Sequence, residues 1–378
     1  MKTNSFKLLP LLILLISMQS CSLTQKKEPL FYNIDDFKTV EKYDAHVHVF
    51  TANPYFVKFA KDKNFRLLSI NFEGQDTHTP SLELQDSLAY VLEGISSGWF
   101  AFAASFIIDD WNNADWQTKT IDTLKQKLKK GAVAVKVYKT IGMRLKDTKG
   151  NFVFVDNPRF DSLFRFFNDN KIPVIAHIGE PKNCWLPIEK MTVKGDRSYY
   201  TENPAEHMFT HPDYPSYDTL IASRDRLLGK NKGMRFIGAH LGSLEWSVEE
   251  LSKRLDLYPD MAVDMAARIC HLQFQSLTNW QGVHDFIIKY QDRFIYGTDS
   301  WVDDSKDSTQ VMKQAGEIWI NDWKFFTSDE NMKAPEFEGN FKGLHLPRTV
   351  IDKIYHTNAE YWFPALKKTR DESIKTTK

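Results

Sequence analysis

Asp44-Ala45-His46-Val47-His48 is the stretch on which the fold turns. It lies in a β-rich run over 42–49, where side-chain alternation puts both imidazoles on one face and Ala45 and Val47 on the other. Two neutral imidazoles one strand period apart can reach a single borderline cation such as zinc. Alone, the pair is weak evidence, because a histidine at a strand end is more often a hydrogen-bonded structural residue than a ligand.

The rest of the chain strengthens it. His177 closes the run Ile172-Pro173-Val174-Ile175-Ala176, His240 closes Arg235-Phe236-Ile237-Gly238-Ala239, and Asp299 closes Phe294-Ile295-Tyr296-Gly297-Thr298. Each sits at the carboxyl end of an expected strand, the face on which barrel active sites are built. Further strands are expected near 65–72, 100–107, 132–138 and 261–267, with the eighth over 293–298. Helices are expected from Trp116 to Lys130, Pro158 to Asn170, Tyr217 to Lys230, Leu244 to Leu257 and Asn279 to Tyr290. Pro158 at a helix start and Gly131 beyond a helix end follow the usual asymmetry. Strands alternating with helices predict an α/β chain, a single-domain (β/α)8 TIM barrel.

The 378 residues suit one such domain, and Lys+Arg and Asp+Glu balance at 49 each. That balance leaves no basic footprint for nucleic acid and points to a small, neutral or anionic substrate. Residues 178–215, after the fifth strand, form too long a connection to be a plain loop and are expected to act as a lid. Cys184, Trp185, Tyr199, Tyr200, His207 and His211 are its candidate wall residues, and packing alone would also explain them.

Three more candidates follow from alternation. In Val133-Ala134-Val135-Lys136-Val137 the valines share one face, so Lys136 points inward if they meet the helices. Asp264, Ala266 and Arg268 share a face of the seventh strand, which would put Arg268 near the mouth, free to hold a carboxylate or to pair with a neighbouring acid. Lys139 is a weaker substrate contact, and Glu180 is either a contact within the site or a solvated loop residue.

At the N-terminus, Lys2 and Lys7 precede the apolar run Leu8 to Ile16, which is short for a membrane span and reads as an export signal. Ser20-Cys21 resembles the cleavage box of bacterial lipoproteins, although Met18 stands where leucine is usual. The reading divides the chain into a signal peptide (1–20), a tether (21–40), the barrel (41–366) and a charged tail (367–378). It implies an exported protein held to a bacterial membrane by a lipid on Cys21; the alternative is an ordinary secretory peptide. Cys184 and Cys270 would then remain, with no geometry from spacing to pair them.

The order His-x-His, His, His, Asp on strands one, five, six and eight resembles the amidohydrolase superfamily. PVIAHIGEP (173–181), RFIGAHLGS (235–243), VDMAARI (263–269) and YQDRFIYGTDS (290–300) are similar to its amidohydrolase-related branch, which holds hydrolases and non-oxidative decarboxylases. The resemblance spans roughly residues 40–365. It implies that His46, His48, His177 and Asp299 hold a divalent metal, one zinc ion in the usual arrangement of that branch. It also implies that Asp299 acts as a general base and that His240 belongs to the site, as a further ligand or beside the substrate. Lys136 resembles by position a carboxylated lysine that bridges two metals in other amidohydrolases. The expected activity is hydrolysis of a small ester, lactone or amide. The alternatives are decarboxylation of an aromatic or unsaturated acid and a non-catalytic binding lipoprotein.

Overall fold

In the computed structural model, which describes residues 30–74 and 79–376, β-branched and aromatic runs pair into one parallel sheet. Its strands are β1 (Lys42–Phe50), β2 (Phe65–Ile70), β3 (Phe100–Ala104), β4 (Ala134–Val137), β5 (Val174–Ala176), β6 (Phe236–Gly238), β7 (Met261–Asp264), β8 (Phe294–Ile295) and β9 (Ser300–Asp303). The order is β8-β7-β6-β5-β4-β3-β2-β1-β9. β8 and β9 stand at opposite ends of that order yet are separated by only residues 296–299. Those residues hydrogen-bond to β1, with Ala45 N donating to Tyr296 O at 2.9 Å and Asp299 N to His46 O at 2.8 Å. The sheet therefore curls into a TIM-barrel-like form, and its eighth strand is a broken one.

Helices cover the outer face. Val47, Val49, Leu67 and Phe102 pack there with Trp319 and Trp323 of the helix Ser308–Thr327. A smaller apolar set, including Tyr43, Ala45, Leu68, Ile175, Ile237 and Ile295, fills the inner side. Helices Trp116–Lys129 and Tyr217–Lys230 match the expected spans within a residue, and Gly131 takes φ +111° just past the first.

Several sequence expectations change. The pairing of β1 with β2 shifts register between Asp44 and Val47. Ala45 consequently lies with the inner residues and Val47 with the outer ones, so they do not share a face as alternation predicts. His46 lies within the shifted stretch and His48 beyond it, and both turn Nε2 towards Asp299 Oδ1. The helix expected from Asn279 begins instead at Ile269 and is interrupted at Asn279, whose φ of −140° is not helical. β7 ends at Asp264, and Ala267 turns to φ +55°, so Arg268 caps that helix and no strand alternation reaches it.

The signal segment, Cys21 and the tether as far as residue 29 lie outside the described residues. Residues 30–40 join the packed body, with Tyr32 and Phe37 buried against Trp323. The charged end is helical over Pro364–Thr376. Segment 178–215 carries a helix at Lys194–Glu202 and four 3-10 turns. It packs a small core of its own around Cys184, Met191, Tyr200 and Met208. Cys184 and Cys270 are free thiols. No helix among the described residues is long and apolar enough to cross a membrane.

Candidate metal centre

Four imidazoles and one carboxylate meet where the strands end. His46 and His48 come from β1, His177 follows β5, and His240 follows β6 in a left-handed conformation (φ +58°). Asp299 sits in the break between β8 and β9 at φ +66°. Side-chain donor atoms of His46, His240 and Asp299 all lie within 4.8 Å of one another. His46 Nε2 and His48 Nε2 stand 3.4 and 3.2 Å from the same oxygen, Asp299 Oδ1. The His177 ring centroid is 4.4 Å from that of His240.

The opposite nitrogens are committed elsewhere. His46 Nδ1 is 2.8 Å from Asp264 Oδ2, His48 Nδ1 is 2.7 Å from Ile70 O, and His240 Nδ1 is 2.9 Å from Ala266 O. Each Nδ1–H donates to its oxygen, which fixes the tautomer and leaves the Nε2 lone pair for the centre. His177 Nε2 is buried with no hydrogen-bond partner, a state that costs free energy unless an electron-pair acceptor is supplied. These donors fit a divalent cation.

Protonation favours the same reading. Burial lowers the pKa of His48, holds His177 well below its ordinary value and brings His240 down to about 3. For Asp299, burial works upward, but the surrounding imidazoles, His240 foremost, hold the carboxyl well below the usual range. Neutral imidazoles and an ionised carboxylate are the forms that bind metal.

Two carboxylates that sequence reasoning passed over shape the centre. Asp264 accepts from His46 Nδ1 and from the His240 backbone N–H, the latter at 2.8 Å. Asp44, fully buried, accepts from Thr298 N at 3.0 Å, Thr298 Oγ1 at 2.7 Å and Trp319 Nε1 at 2.8 Å. It therefore holds the turn that carries Asp299. The signal available in the sequence was the acidic residue two before His46 and the one closing the seventh strand.

His48, His177, His240 and Asp299 open into a cavity of about 510 Å³. Lys136 lies in its wall, buried, with Nζ 3.5 Å from His46 Nε2; Val135 and Val137 join the outer core as alternation predicts, whereas Val133, ahead of the strand, lies with the inner set. Lys139 and Glu180 also line it, as an ion pair with each other. Arg268 reaches it from the helix start, 3.8 Å from Asp196 Oδ1 of the 194–202 helix, with its Nε buried and unpartnered. Tyr199 and Tyr200 of the 194–202 helix line the cavity too, as do Phe72, Tyr138 and Trp301. Cys184, Trp185, His207 and His211 do not: His207 Nε2 bonds Leu186 O, and His211 Nε2 bonds Pro204 O.

No curated protein matches the chain. Solved structures similar to it include an amidohydrolase II (13% identity, 86% of this chain and 100% of that one, TM-score 0.47). They also include a 2,6-dihydroxybenzoate decarboxylase from Rhizobium (14%, 86% and 98%, TM-score 0.46). A third is a 4-oxalomesaconate hydratase from Rhodopseudomonas palustris (11%, 85% and 84%, TM-score 0.44). The amidohydrolase family model matches residues 111–365, a stretch that supplies His177, His240 and Asp299 and to which the sheet brings His46 and His48 from upstream. On that match, over more than half of its length, this chain belongs to the amidohydrolase family.

Proposed function

We propose that the protein is a metal-dependent hydrolase of a small ester, lactone or amide, with His46, His48, His177 and Asp299 as ligands and His240 beside them. The observation that carries the reading is the convergence of His46 Nε2 and His48 Nε2 on Asp299 Oδ1, at 3.4 and 3.2 Å, combined with the Nδ1 bonds that aim both imidazoles. One divalent ion, zinc by the chemistry of the donors, is the cofactor of this reading. Bound there, it would polarise a carbonyl oxygen and make water easier to deprotonate.

The chain's own groups do the rest. Asp299, kept ionised, accepts the proton of the attacking water and returns it to the leaving oxygen or nitrogen as the carbonyl bond to that group breaks. His240, neutral, orients the carbonyl or the water through Nε2. Lys136 serves as a charge beside the ligands, and it becomes a bridging ligand only if a second ion binds. Asp299→Asn should lower kcat by roughly 10²- to 10⁴-fold with an unchanged circular dichroism spectrum. Purified protein that turns over no ester, lactone or amide across a broad panel would contradict the proposal.

A second reading, decarboxylation of an aromatic or unsaturated acid, is favoured by one observation. Arg268 lines the cavity with an unpartnered Nε, as an anchor for a substrate carboxylate would. Carbon dioxide release from a panel of such acids separates the two. We also infer that the chain is exported and lipid-anchored through Cys21. Metabolic labelling with palmitate, lost in Cys21→Ser, tests that inference.

A further inference from the structure

Beside the metal cavity runs a groove of about 340 Å³. Its walls are the helix Ser308–Thr327, the start of the helix Ile269–Lys289 and the strap of residues 332–336. Ala267, Arg268, Cys270 and Glu336 line both groove and cavity, so the two spaces adjoin along these four residues.

The groove is already built. Glu336 ties the strap to the cavity's own helix: its backbone oxygen accepts from Lys194 N at 2.7 Å and its Oε2 from Gly195 N at 2.6 Å. Phe337, the next residue, is buried against Phe274 and Phe341. Strands Asn331–Met332 and Phe341–Lys342 pair across the base of the strap.

The groove is also largely apolar. Met265 and Ile269 are buried at its base, Met332 and Ala334 lie along the strap, and Ile318 is left 41% exposed on the facing helix. Gln273, Thr298, Asn321, Asp322 and Lys333 supply its polar groups together with the shared Arg268 and Glu336. Apolar side chains lining a groove that adjoins a reaction cavity gain free energy when an apolar part of the ligand covers them.

We propose that this groove is the distal subsite of the cavity and takes the straight apolar chain of a substrate whose carbonyl head sits at the metal centre. The inference rests on the metal-site reading of the cavity and names its substrate class: an amphipathic acyl compound. The wall shared with the cavity, at Ala267, Arg268, Cys270 and Glu336, is what selects a substrate chain as the occupant over a protein partner.

The test measures binding of butyrate and octanoate to the metal-loaded, full-length protein by calorimetry, in the wild type and in Ala334→Trp and Ile318→Asp. Both substitutions sit on partly exposed positions of the groove, outside the metal-binding residues. Octanoate should bind at least about tenfold more tightly than butyrate, because each buried methylene adds to affinity. Both variants should erase that gain and leave butyrate binding unchanged. Equal affinities, no binding of either acid, or a gain that both variants keep would overturn the inference. Because no turnover is read, these outcomes are separate from failure of the hydrolase reading, which turnover of short esters tests by itself.

Discussion

Asp264 serves two histidines of the candidate centre at once, His46 through its ring and His240 through its backbone. A carboxylate behind a metal-binding imidazole orients the ring and raises its basicity. Asp264→Asn keeps the shape but loses the charge, and metal affinity should fall by roughly 10- to 100-fold in a chelator competition. Unchanged affinity would mean that Asp264 only fills space. At this scale the sequence was readable for residues whose type already states their chemistry: the five donors, and Lys136 from its flanking valines. Asp264 and Asp44 were not, because a carboxylate that acts through another residue has no pattern of its own. Arg268 reached the cavity by a different route from the expected one, since Ala267 ends the strand geometry before it.

Among elements, the eighth strand departs most from a simple reading. The run Phe294 to Asp299 looks continuous, yet only Phe294–Ile295 pairs with β7, and pairing with β1 resumes at Ser300. The interruption lets Asp299 adopt a left-handed backbone and present its carboxylate to the imidazoles. Such a conformation is costly for a residue with a side chain and persists only where its surroundings hold it. Asp44 supplies two of those holding bonds, to Thr298 N and Oγ1, and is itself fixed by a third from Trp319 Nε1. Asp44→Ala leaves buried donors unpaired and should cost about 2–3 kcal/mol in urea denaturation; a loss below about 0.5 kcal/mol would show that the turn needs no such support. Elements were legible where they are long and amphipathic, as at Tyr217–Lys230. The bulge in β1 and the left-handed residues that follow β6 and β8 were not, because a one-residue shift reverses the faces without altering composition.

For the whole molecule, alternating strands and helices with ligands at strand ends carried the architecture, while the packing of residues 30–40 and the groove beside the strap depend on contacts distant in sequence. One such contact sets a pH dependence. Asp322, on the helix Ser308–Thr327, accepts from Tyr296 Oη at 2.8 Å, and burial pushes its carboxyl up from 3.8 to about 7. A carboxyl that holds its proton more tightly when folded contributes stability that is present below about 4 and lost as pH rises through about 7. Asp322→Asn should flatten that part of the profile in thermal melts between pH 5 and 8. An identical slope in both proteins would contradict the assignment.

Stoichiometry of bound metal tests the central claim most directly. Elemental analysis of the purified protein should find a divalent ion at one per chain. His46→Ala and His177→Ala, shown folded by circular dichroism, should hold less than about a tenth of that, and Lys136→Ala should leave the stoichiometry at one. A second equivalent that disappears in Lys136→Ala would establish a bridged pair. A wild-type protein that binds no divalent metal, or histidine variants that keep all of it, would contradict the account.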